Sequence, residues 1–81
     1  LAAKQGEEMA MKNLGLLYEK GRGVSQDLGS AYMWFSLAEK LGEKHAGKFK
    51  ERVSLKMTSI QITKAKKKVE IWMAKFQGAQ K

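Results

Sequence analysis

The chain has 81 residues, a formal net charge of +8 at pH 7, no cysteine and no proline. Its length allows one domain, near the size where a single core becomes marginal, and the missing cysteines rule out disulfides and thiolate zinc sites. No apolar run approaches the roughly 18 residues that a transmembrane helix needs, and a proline-free chain rich in Ala, Leu, Lys, Glu and Met is expected to be all-helical.

In chain order, LAAKQ at 1–5 reads as the last turn of a helix that starts upstream, stopped by Gly6. The next helix is expected over about Glu7–Lys20. Its apolar positions Ala10, Leu14, Leu17 and Tyr18 fall at helical spacing, and Glu7, Glu8 and Lys20 sit at the ends where the helix dipole favours them. The stretch YEKGRGVSQD, 18–27, then poses a choice between a phosphate-cradling glycine loop and a bend. A dinucleotide loop needs G-x-G-x-x-G after a strand, but Gln26 holds the third glycine position and LGLLYEK is helical. Gly21 therefore reads as a helix terminator, Gly23 as the turn, and Val24 as a residue that drops back into the core, so the loop is a hinge between helices.

A second helix is expected from Asp27 or Leu28 to Leu41, with Asp27 as its N-cap. GEKHAGKF, 42–49, spells the start of a nucleotide-binding loop, but Phe49 stands where Ser or Thr would ligate magnesium, and no strand precedes it. A third helix is expected over about Glu43–Lys56. A fourth begins at TSIQ, where Thr58 and Gln61 form a capping box, and runs to about Phe76. Ile62, Ala65, Val69, Trp72 and Phe76 form its apolar stripe, with Lys64, Lys67, Lys68 and Lys75 largely off it. The last residues, 77–81, are expected to fray.

Two longer patterns organise these elements. Residues 1–42 carry five basic and five acidic side chains, whereas residues 43–81 carry eleven against three, so the whole +8 lies in the second half. LAAKQGEEMAMK, 1–12, also aligns with LAEKLGEKHAGK, 37–48, at seven of twelve positions and a constant offset of 36. A period in the thirties indicates stacked helical pairs.

Ala3, Gly6, Ala10, Leu14–Gly15, Tyr18, GRGV at 21–24, Asp27, Ala31, Trp34, Ala38, Gly42 and Ala46 together resemble the Sel1-like repeat, a tetratricopeptide-related family of helix-turn-helix units. The resemblance implies an all-α chain of antiparallel helical pairs stacked as an α-solenoid, a right-handed superhelix. It divides the chain into the end of a preceding repeat helix at 1–5, a complete repeat at 6–41, a degenerate terminal repeat with a capping helix at 42–76, and a frayed tail at 77–81. The second unit departs from the pattern. Lys50 and Glu51 replace Leu14 and Gly15, and MTSIQITKAKKKVEIW stands where G-x-G-V would follow. The expected context is the C-terminal part of a longer bacterial protein, cytoplasmic or periplasmic, with any signal peptide upstream.

The chemistry-bearing residues are sparse. His45 is the sole histidine and Asp27 the sole aspartate, and no spacing singles out a nucleophile beside them, so neither catalysis nor a metal or other cofactor is expected. The Sel1-like resemblance implies a monomeric scaffold for protein–protein interaction that holds its partner on a concave face lined by the first helix of each pair. Its concave face would be lined by Met9, Lys12, Leu16, Glu19 and Lys20 of the first helix and, 36 residues on, His45, Lys48, Arg52, Leu55 and Lys56 of the third. Apolar Met9, Leu16 and Leu55 among mostly basic neighbours suit an acidic peptide. The alternative is that the basic half, Lys44, Lys48, Lys50, Arg52 and Lys56 with Lys64, Lys66, Lys67, Lys68 and Lys75, binds nucleic acid or an anionic membrane surface.

Overall fold

A computed structural model describes residues 6–78 of the chain, and of 76–78 the backbone alone. The expected helix end at 1–5, the Phe76 side chain and most of the tail at 77–81 thus lie outside what is described. Within it are four helices: α1 (Glu7–Lys20), α2 (Leu28–Lys40), α3 (Ala46–Ser54) and α4 (Ser59–Gly78). The all-α reading holds, and the helices are packed together rather than splayed.

Helix α2 is the hub, packing against each of the other three. LGSAYMWFSLAEK has apolar or small residues round most of its circumference, and Ala31, Tyr32, Phe35, Ser36, Leu37 and Ala38 are all buried. The core joins Ala31, Tyr32 and Phe35 to Val53 of α3 and Ala65 of α4, with Leu16 and Tyr18 of α1 packed against them. Complete burial of a side chain such as Phe35 contributes about 1.5–3 kcal/mol.

Helix α1 meets α2 through a glycine. A Cβ built on Gly15 would lie 2.5 Å from Cε1 of Phe35, so only glycine admits the ring. That contact sets the rotation of α1, and it corrects the expected core face. Gly15 and Glu19 are buried, while Ala10 and Leu17 face outward and Leu14 is half-buried.

Gly21 ends α1 as expected, in the left-handed region at φ 70°, its N–H donating to the Leu17 carbonyl at 2.7 Å. The following loop is the expected bend between two helices, and it is tied at two points. Asp27 N–H donates to the Tyr18 carbonyl at 2.9 Å, and Gln26 Nε2 donates to the Glu19 carbonyl at 2.8 Å. Val24 does not return to the core and stays exposed, because these two polar contacts already close the turn. Asp27 then caps α2, accepting from Ser30 N–H at 3.1 Å and Ser30 Oγ–H at 2.9 Å. Those Ser30 hydrogen bonds, backbone first, hold the Asp27 carboxyl below the usual range, with smaller help from Gly29 N–H and Lys68 against a modest opposing effect of burial.

Helix α3 is shorter than expected. Glu43 does not open it: its N–H closes α2 by donating to the Ala38 carbonyl at 2.9 Å, and its carboxylate accepts from His45 N–H at 2.7 Å. At the other end, Lys56 and Met57 donate three residues back, to Val53 and Ser54, which tightens the chain out of the helix. Helix α4 opens on the expected capping box. Thr58 N–H donates to Gln61 Oε1 at 2.9 Å and Gln61 N–H to Thr58 Oγ1 at 3.1 Å. Its stripe lies against α2, with Ala65 and Val69 buried and Trp72 edge-on to Trp34 at 6.4 Å between centroids. Gly6 and Gly42, one offset of 36 apart, share positive φ values of 110° and 100°.

Candidate functional site

Helices α1 and α3 both lie on α2, and α1 side chains meet α3 or the residues just before it at two points. At one, Lys12 Nζ lies 3.8 Å from Oε2 of Glu43, just before α3. At the other, Glu19 near the end of α1 receives Arg52 of α3. Arg52 Nε donates to Oε2 at 3.0 Å and Nη2 to Oε1 at 2.5 Å, a two-pronged pairing of a carboxylate with a guanidinium fork. Lys56 Nζ adds a third cationic contact at 3.6 Å.

Glu19 is only 4% exposed. Burial alone would raise its pKa. The Arg52 hydrogen bonds outweigh it together with the charges of Arg52, Lys56 and Lys20, so the carboxyl titrates below its usual range. The Arg52 guanidinium, with a side chain 42% exposed, also lies over the Phe49 ring at 4.7 Å from its centroid. Phe49 packs in turn on Phe35, 5.5 Å between centroids. Arg52 is thus fixed on one side by a salt bridge and on the other by an aromatic platform that reaches the core.

The ten residues expected to line a binding face divide into three groups. Leu16 packs on the core and Glu19 is buried, so both act from behind the surface. Lys12 is half-buried beside Glu43, and Arg52 is held by Glu19 while remaining accessible. Met9, Lys20, His45, Lys48, Leu55 and Lys56 are exposed, Leu55 to 88%. Three cations, Lys20, Arg52 and Lys56, therefore surround one carboxylate and leave the cluster positive.

Glu43 and Phe49, not among the ten, belong to this face too: Phe49 packs against the core while also carrying Arg52, and Glu43 lies before α3 rather than in its first turn. The available signal was Glu19 itself, the only acidic residue among the ten, whose sign calls for a basic partner nearby. Elsewhere in the basic half, Lys50 is paired with Glu39 at 2.5 Å, at the mouth of a cleft of about 230 Å³ between α2, α3 and α4 whose lining mixes both signs of charge. Among the described residues no group of three or more His, Cys, Asp or Glu is gathered as a metal site would need.

Comparison with known proteins returned no match: no protein-family model, no curated protein and no solved structure is significantly similar to this chain.

Proposed function

We propose that the chain is a non-catalytic interaction module that holds an acidic protein or peptide segment across the face shared by α1 and α3. In this reading α1–α2 and α3–α4 are two units of a Sel1-like α-solenoid, α4 is its cap, and the α1–α3 side is the concave one. The observation that carries it is the cluster of Lys20, Arg52 and Lys56 about the buried Glu19, beside an almost fully exposed Leu55. A guanidinium already immobilised by Glu19 and Phe49 loses little freedom when it meets a further carboxylate. The excess positive charge steers acidic partners toward it.

Peptide selection against the immobilised chain tests this reading. Selected sequences should be enriched in Asp and Glu around an apolar residue. Lys48→Glu combined with Leu55→Asp touches only exposed side chains, so melting should be unchanged while affinity for a selected peptide falls about ten-fold or more, as expected for two lost contacts of about 1 kcal/mol each. Selection without acidic enrichment, or a folded double variant that binds like the parent, contradicts the proposal.

A further inference from the structure

Helix α4 has a second face that its packing on α2 does not use. Ala65 and Val69 are buried, and Ile62 and Trp72 half-buried, on its inner side. At about 100° per residue the positions turned away are Ile60, Thr63, Lys64, Lys67, Glu70, Ile71 and Ala74, with Lys75 at the edge; all are exposed, and the one carboxylate leaves the face net positive. Ile60 is 67% and Ile71 52% exposed, large values for isoleucine. They stand eleven residues apart, roughly 16 Å along the helix at 1.5 Å per residue, with Lys64 and Lys67 between them. None of these lysines, nor Lys66 or Lys68, lies within ion-pair distance of a carboxylate among the described residues.

We infer that this outward face of α4 docks on an anionic phospholipid surface. The charge is complementary, and the pattern of Ile and Lys separates lipid from other anions. Nucleic acid is best gripped where aromatic side chains stack on bases, but Trp72 is turned inward onto Trp34 and the two isoleucines would meet only the phosphate backbone. A second copy of the chain would set Lys64 and Lys67 against lysines. An acidic helix packed along the face would bury both ammonium groups in its seam, which is costly unless each is fully paired.

A bilayer surface takes both residue types as they stand. The isoleucine tips enter the acyl boundary, while the lysine stems extend their ammonium groups to the phosphate plane. No described helix is long and apolar enough to cross a membrane, so the contact is superficial. The inner stripe stays on α2 throughout, and docking does not lift the lid.

The test is co-sedimentation of the 81-residue chain with phosphatidylcholine vesicles and with mixed phosphatidylcholine–phosphatidylglycerol vesicles, at low and moderate salt, with tryptophan emission followed in parallel. Binding is expected only to the mixed vesicles, with emission unchanged because Trp34 and Trp72 stay packed. Lys64→Glu with Lys67→Glu should weaken binding on the order of thirty-fold or more, given about five-fold for each lysine near an anionic surface. Ile60→Asn with Ile71→Asn should remove the binding that survives moderate salt, and both variants should melt like the parent. Equal retention on neutral vesicles, parent-like binding of the lysine variant, tighter binding to single-stranded DNA, or a blue-shifted emission signalling that the inner face has opened would each overturn the inference.

Discussion

In the first half of the chain, α1 reaches α2 through Gly15, whose missing side chain makes room for the Phe35 ring, and the charges of residues 1–42 cancel. The second half has Glu51 at the position 36 residues on. That position faces outward, and helix α3 lies on α2 with Phe49 and Val53 instead, while its Arg52 reaches back to Glu19. Helix α1 is held by close approach to a core aromatic ring, whereas α3 places Gly47 against the Glu39 side chain, packs through Phe49 and Val53, and adds a charged clip.

The sharpest way to break this contrast is Gly15→Leu. With the ring already 2.5 Å from an ideal Cβ, overpacking should cost about 3 kcal/mol or more and leave so small a domain largely unfolded by circular dichroism. Leucine at Glu51, on the exposed side of α3, should change stability by no more than about 0.5 kcal/mol.

Next in size is Arg52→Ala, which leaves the buried Glu19 carboxylate only the looser Lys56 contact. Removal of one partner from a fully buried pair costs about 3–5 kcal/mol. Because Arg52 is 42% exposed, solvent screening reduces this to about 2 kcal/mol, read from the urea midpoint. Smaller again is Asp27→Ala, which removes the α2 cap and should cost about 1 kcal/mol.

The acid side of the stability profile reports both carboxyls. Glu19 and Asp27 each titrate lower when folded than when unfolded, so the folded chain binds fewer protons than the unfolded one across that range. Their contribution is complete above the usual carboxylate range, near pH 4 to 4.5, and is lost as pH falls through the folded values. The chain should therefore destabilise progressively below about pH 4.5, and Arg52→Ala should flatten that dependence.

Much of this architecture was legible in the sequence. Gly6 and Gly21 bracketed α1 at its observed limits, and Asp27 and the Thr58–Gln61 pair capped α2 and α4 because their side chains bond to backbone only three residues away. What was not legible depends on contacts far along the chain. The apolar spacing of Ala10, Leu14 and Leu17 suggested a core face, yet the orientation of α1 is set by Gly15, and a glycine adds nothing to a hydrophobic pattern. Glu43 looked like the first turn of a helix because nothing local reveals that its N–H closes the helix before. The partner that makes burial of Glu19 tolerable, Arg52, lies 33 residues on. As for the site, the expected face did bring α1 and α3 together, but three of its members, Leu16, Glu19 and Lys12, hold the face up more than they present it.

The most direct test is a double-mutant cycle on Glu19→Gln and Arg52→Gln, measured by urea denaturation at pH 7 and again at pH 3. If this pair joins the two halves into one face, each single variant should be destabilised and the coupling should be about 1–2 kcal/mol at pH 7, and smaller on the acid side, where protons compete with Arg52 for the Glu19 carboxylate. Additive single effects at pH 7, or a coupling that does not change with pH, would contradict the claim that a charged clip holds α3 to α1.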